Sequence, residues 1–219
     1  MKRSEQSKER IAFLADALMP GPYQCFLCGE EDVIGEDGLC DECRSKLKYY
    51  PNPTCLAPLD GITVGLQYSD DVSAAVMQFK KGGHKEYAGF FTQFVSVPEE
   101  WQADMLVPVP MHPLRKWLRG FNHTELLAAY VSNATKIPYS SRLLYKTRFS
   151  TEQKSIMDAA ERRRNIRGSF VCDPIVKGMR IVLIDDVFTT GATAYECAKV
   201  LKQAGARKVY LSAVTSPSR

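Results

Sequence analysis

The stretch from Arg180 to Thr193, R-I-V-L-I-D-D-V-F-T-T-G-A-T, constrains the fold of this chain more than any other. Arg180 to Ile184 is a continuous apolar run, and a strand apolar at every position has both faces covered. The run breaks into two carboxylates and a polar turn. A helix follows, because Thr193 with Glu196 reads as a capping box and Ala194, Cys197, Ala198, Leu201 and Ala204 recur at helical spacing, with Gly205 as the C-cap. Gly61 to Tyr68, Met105 to Val109 and Lys208 to Val214 read as further strands. Val72 to Phe79, Tyr87 to Val97 and Thr124 to about Thr135 read as helices, the last opened by Asn122 with Glu125. Strands alternating with helices predict an α/β fold, a parallel sheet flanked by helices on both sides.

In such a sheet ligands bind beyond the carboxyl ends of the strands. Thr189, Thr190, Gly191, Ala192 and Thr193 supply hydroxyls and converging backbone N–H groups at the positive end of a helix dipole, which makes a phosphate cradle. Asp185 and Asp186 repel a bare phosphate, so the ligand also presents hydroxyls or a metal ion. A ribose 5-phosphate satisfies both requirements, its 2- and 3-hydroxyls on the carboxylates and its phosphate on the turn. No G-x-x-x-x-G-K-[ST] and no G-x-G-x-x-G occurs. A second strand end opens onto polar residues at Val107 to Asn122, where Arg115 and Arg119 either grip a pyrophosphate or are solvated surface charges.

Four of the seven cysteines form two C-x-x-C pairs, Cys25/Cys28 and Cys40/Cys43. Two such pairs close a tetrahedron around zinc, and four thiolates fill it, so the site is structural. A thioredoxin-like redox pair needs a βαβ context that is missing here. Cys172 and Cys197 lie in apolar surroundings and read as core residues. His84, His112 and His123 show no metal or triad spacing and receive no chemistry.

The net charge of +4 hides a lopsided distribution. Cys25 to Cys43 holds seven acidic residues and no basic one, whereas Arg142 to Arg167 holds eight basic residues against three acidic. The basic stretch, with Arg148, Lys154, Arg162, Arg163, Arg164 and Arg167, reads as part loop, part helix. It is a mobile loop over the phosphate site, a track for a nucleic-acid backbone with Tyr145, Phe149 and Phe170 stacking on bases, or a solvated helix face. No apolar run approaches a membrane span, no secretory signal is evident, and the expected location is the cytoplasm. The expected domains are an amphipathic helix over 1–22 with Ile11, Leu14, Ala15 and Leu18 on one face, a four-cysteine module with linker over 23–60, and the α/β domain over 61–219.

The apolar tetrad, the acid pair and T-T-G-A-T resemble the phosphoribosyl pyrophosphate (PRPP) motif of type I phosphoribosyltransferases. In order along the chain, V-P-V-P-x-H-P with R-G-F-N (107–122), N-x-x-G-S-F (165–170) and D-D-V-x-T-T-G-A-T resemble the ComF family of competence proteins. The likeness covers nearly the whole chain, with one departure: where many relatives have further cysteine pairs after the knuckle, this chain has only Cys55. The resemblance implies a type I phosphoribosyltransferase-like fold, an N-terminal zinc finger, and a role in the uptake or processing of transforming single-stranded DNA. It implies Mg²⁺-PRPP bound by Asp185 and Asp186 at the ribose, Thr189 to Thr193 at the 5-phosphate and Arg115 or Arg119 at the pyrophosphate. Single-stranded DNA on the basic stretch, and a competence-machinery protein such as a DNA helicase on the acidic knuckle, are the expected partners. An active transferase acting on an unidentified acceptor is the alternative.

Overall fold

The computed structural model describes residues 24–31, 33–51, 56–81, 84–148, 164 and 166–217. The expected helix over 1–22, together with Cys55, Phe149, Lys154, Arg162 and Arg163, lies outside them. The chain divides into two compact units between Leu47 and Lys48.

In the first unit, two tight turns carry the cysteines. Gly29 N donates to Cys25 O at 2.8 Å, and Gly38 N donates to Gly35 O at 2.9 Å. Helix α1, Asp41–Lys46, is capped by Cys40, whose sulfur accepts from Cys43 N at 3.4 Å. This helix ends at Lys46, with Leu47 as its C-cap.

The second unit is built on four parallel strands in the order β1-β6-β5-β2: β1 Gly61–Gln67, β2 Met105–Pro108, β5 Arg180–Val187 and β6 Lys208–Ser216. The described part of 48–60 joins this unit, with Leu59 in its core and Tyr50 N donating to Gly65 O at 2.9 Å. Ile181, Val182, Leu183 and Ile184 are all fully buried, as a strand covered on both faces requires. Successive residues alternate between faces. Ile181 and Leu183 share a core with Ala194, Cys197, Ala198 and Leu201 of helix α6, Ala192–Gln203. The opposite face is covered by helix α5, His123–Thr135, which packs on β2 and β5 and is backed by α3, Glu86–Thr92, and α2, Asp70–Lys80. Each fully buried Leu or Ile here contributes about 1.5–3 kcal/mol.

Four sequence expectations need correction. The central strand does not stop at the acids: Asp185 pairs with Ala213 and Val187 with Thr215, so β5 runs through Val187. Parallel pairing with the long β6 carries the polar residues along. The capping box at Thr193 is absent, since the N-cap is Gly191 at φ +71° and Glu196 instead accepts from Gly168 N at 3.3 Å. Asn122 is the N-cap of α5, but it makes no side-chain cap bond, and Glu125 pairs with Lys116 at 2.8 Å. Finally, the basic stretch contains a strand, β3 Leu144–Lys146, which pairs antiparallel with β4 Phe170–Cys172. Segments of three residues are too short for periodicity to reveal.

Candidate functional site

A cavity of about 710 Å³ opens beyond the carboxyl ends of β2 and β5, where an open α/β sheet places ligands. Asp185, Asp186, Thr189 and Thr193 reach it from β5 and the turn that follows. Arg115 and Arg119 reach it from helix α4, Pro113–Arg119, whose N-cap His112 accepts from Leu114 N at 3.2 Å. The structure thus brings together two loops that lie far apart in sequence.

Two further residues complete the wall, and sequence reasoning gave neither a role. Lys80 at the end of α2 lies 2.6 Å from Asp186 Oδ2, and His123 Nε2 at the start of α5 lies 3.3 Å from the same oxygen. Strand alternation explains the encounter: Asp186 shares the face of Val182 and Ile184, the one on which α5 packs, and the end of α2 brings Lys80 to the same oxygen. Asp185 falls on the other face. Burial works against the Asp186 charge, but Lys80 and His123 outweigh it and hold the carboxyl far below the usual range. Burial also opposes the Lys80 charge, yet Asp186 holds that ammonium above its ordinary pKa, against a contrary push from Arg119. At Asp185 burial and the neighbouring Asp186 charge act together and push the carboxyl well up.

The T-T-G-A-T turn divides between two spaces. Thr189 and Thr193 face the large cavity, whereas Thr190, Gly191 and Ala192 line an adjoining one of about 270 Å³ with Leu56 and Tyr195. The N-cap Gly191 has no side chain to cap α6, and Thr190 Oγ1 accepts from Ala192 N at 3.4 Å, which leaves the N–H groups of Thr193 and Ala194 as candidate donors to a ligand. Gly191 is required twice over. It takes φ +71°, and a Cβ there would lie 2.5 Å from Leu56 Cδ2.

The four cysteines of the first unit converge as their spacing predicts. The sulfurs of Cys25, Cys28, Cys40 and Cys43 all lie within 4.8 Å of one another, with Cys28 and Cys40 3.9 Å apart. Tetrahedral zinc–thiolate bonds of about 2.3 Å place neighbouring sulfurs about 3.8 Å apart, so the donor set fits zinc. Burial opposes the Cys25 thiolate, but backbone N–H groups of Cys40, Cys28 and Leu27 outweigh it and bring the thiol down to about 7. The acidity of this unit is partly spent at home: Arg44 pairs with Asp37 at 2.7 Å and with Asp41, and Lys46 pairs with Glu42.

The described basic residues of the stretch do not gather in one place. Arg164 and Arg167 line a groove of about 280 Å³ with Tyr195, Glu196 and Lys199, next to the start of α6. Arg148 is exposed and lies outside that groove. Cys197 is fully buried among the α6 core residues, as expected, whereas Cys172 is only half-buried.

Comparison with known proteins adds relatives. Residues 14–57 match the double zinc ribbon domain. The chain is 27% identical to the DNA utilization protein YhgH of Escherichia coli K12, over 88% of this chain and 96% of that one. It is 24% identical to competence protein F of Haemophilus influenzae, over 85% and 94%, and 27% identical to competence protein ComFC of Bacillus subtilis, over 78% and 80%. Among solved structures, glutamine PRPP amidotransferase from B. subtilis overlaps 58% of this chain and 25% of its own, with 24% identity and a TM-score of 0.37. Adenine phosphoribosyltransferase from Leishmania tarentolae overlaps 83% and 88%, with 13% identity and a TM-score of 0.36. The parallel sheet rests on its own strand pairing, and the resemblance to ComF proteins is matched by the names of the sequence relatives. The chain is a homologue of competence protein F, ComFC and YhgH over nearly its whole length, with a zinc ribbon at its N-terminal end.

Proposed function

We propose that this protein acts in competence and DNA utilization, as its relatives are named to do, and that its α/β unit binds PRPP with Mg²⁺. One observation carries the ligand: the acid pair, Thr189 and Thr193 line the same cavity as Arg115 and Arg119, and the start of α6 lines the space beside it. Cations suit the pyrophosphate, amides and threonine hydroxyls suit the 5-phosphate, and a carboxylate suits the ribose hydroxyls. Magnesium would come with the pyrophosphate and neutralise part of its charge. Calorimetry with Mg²⁺-PRPP is expected to show saturable binding by the wild type and at least about a tenfold loss in Asp185→Asn, since a charge-assisted hydrogen bond contributes roughly 1.5–3 kcal/mol. Equal titrations would remove Asp185 from the site.

Single-stranded DNA is assigned to the groove of Arg164, Arg167 and Lys199, where Tyr195 offers a ring at 41% exposure. Affinity for an oligonucleotide is expected to fall steeply with salt. In the Arg164→Ala/Arg167→Ala/Lys199→Ala variant the log–log slope should drop by about 2, at roughly 0.7 per lost phosphate contact. An unchanged slope would move the strand elsewhere. Arg148, Lys154, Arg162 and Arg163 extend this proposal along the basic stretch. A cytoplasmic location and a helicase docked on the acidic knuckle belong to it as well. Among the described residues no helix is long and apolar enough to cross a membrane.

Transfer of ribose 5-phosphate to an acceptor is a second reading, favoured by a cavity of about 370 Å³ that shares Pro110, Met111 and Lys146 with the large one and offers Tyr145 and Ser141. Product formation from labelled PRPP separates an enzyme from a binder.

A further inference from the structure

We propose that the two adjacent acids divide their work: Asp185 serves the ligand's sugar, while Asp186 is a positioning residue that holds Lys80 at the cavity wall, where the Lys80 ammonium binds the ligand's pyrophosphate. This rests on the PRPP reading and deepens it. The first argument is the strand. Asp185 and Asp186 both belong to β5, paired through Val187, so their side chains leave opposite faces of the sheet and do not meet the same pair of ribose hydroxyls side by side. The second is engagement. Asp186 is 5% exposed, and its Oδ2 lies within 2.6 Å of Lys80 and 3.3 Å of His123, while its Oδ1 accepts from Val187 N at 2.8 Å. Little of that carboxylate is left for a hydroxyl.

The third argument concerns Lys80. An ammonium has three N–H donors, and the ion pair with Asp186 engages at most one of them. The Lys80 side chain keeps 25% of its surface exposed, and that surface lines the cavity. Arg119, which lines the same cavity, acts on Lys80 as a like charge. Two cations aimed into one space repel each other until an anion separates them. A buried ion pair adds little stability over apolar residues of similar volume. Its position against a cavity is what a binding role accounts for: Asp186 balances the desolvated ammonium when no ligand is present and fixes its direction.

The test compares Mg²⁺-PRPP with ribose 5-phosphate, which keeps the sugar and the 5-phosphate and lacks the pyrophosphate. Lys80→Met is expected to weaken PRPP binding roughly 10- to 100-fold, the range for a lost charge-assisted bond, and to leave ribose 5-phosphate within about twofold. Lys80→Arg should recover most of the PRPP affinity. Asp186→Asn should show the same selective loss as Lys80→Met, whereas Asp185→Asn should weaken both ligands. If Asp186→Asn does not fold, Lys80→Met/Asp186→Asn removes both charges together and should show the Lys80→Met pattern. Wild-type protein that binds neither ligand would end the PRPP reading itself. Wild-type binding of PRPP with an unaffected Lys80→Met variant, or with equal losses for both ligands in Lys80→Met, would overturn the inference. An Asp186→Asn variant that loses ribose 5-phosphate as Asp185→Asn does would return Asp186 to the sugar.

Discussion

Removing zinc from the native protein is expected to unfold the four-cysteine unit while the α/β unit keeps its own melting transition. Among the described residues of the first unit the buried apolar side chains are Leu27 and Leu39, beside Cys25, Cys40 and Cys43. A segment of that size has no core able to offset its conformational entropy, and small metal modules draw their folding energy from the metal. In zinc-finger peptides that term is about 10–16 kcal/mol at pH 7, far above what local turns supply. The ion also resolves an electrostatic conflict: burial raises the Cys43 thiol far above its ordinary value, and only a cation makes four adjacent thiolates stable together. With a thiol-reactive mercurial and a colorimetric indicator, about one zinc per chain should be released. The matched segment holds Cys25, Cys28, Cys40, Cys43 and Cys55, one complete ligand set and a single remaining thiol. After chelation, limited proteolysis should cut before Leu47 and spare the sheet. A metal-free preparation that resists the protease there, or release of two equivalents, would contradict this assignment.

What the sequence disclosed followed the strength of its periodic signals. The four strands of the parallel sheet and α5 were legible because each carries an apolar pattern set by burial, such as Ile181 to Ile184 or Leu127, Ala128 and Val131. The zinc knuckle was legible because ligand spacing is itself the geometry. Lys80 and His123 were not, because neither lies near the acid pair in the chain, and only the packing of α5 on β5 and the approach of the end of α2 deliver them. One clue was available. Had the strand been extended through Asp185-Asp186-Val187, period-2 alternation would have sent the acids to opposite faces and required a buried partner for one of them. The capping box failed for a related reason: Gly191, at positive φ, caps the helix two residues before Thr193, and the first helical N–H, that of Ala192, goes to Thr190 Oγ1.

Stability measurements should therefore give the two neighbouring acids opposite signs. Asp186→Ala removes the counter-ion of a largely buried lysine and the carboxylate beside His123 at once, and truncating one member of a buried pair destabilises by about 3–5 kcal/mol. For a unit of this size that is a fall in Tm of roughly 6–20 °C. Asp185→Asn should be neutral or stabilising at pH 7, because its carboxyl is pushed well up in the fold, so the folded state disfavours the charge it must carry. The pH dependence follows with its sign. Asp186 is depressed in the folded state, so its contribution is complete above the unfolded carboxylate value near 4 and is lost as pH falls further. The penalty of Asp186→Ala should shrink on acidification below about pH 4. Lys80→Met/Asp186→Ala should be less destabilised than the sum of its parts, by roughly 1–3 kcal/mol, because the second substitution removes the charge that the first leaves stranded. Denaturant melts of the four variants read this directly, and additive losses would mean that Lys80 and Asp186 do not stabilise each other. An acid whose removal helps the fold while weakening ligand binding is one whose place in the chain is explained by its ligand.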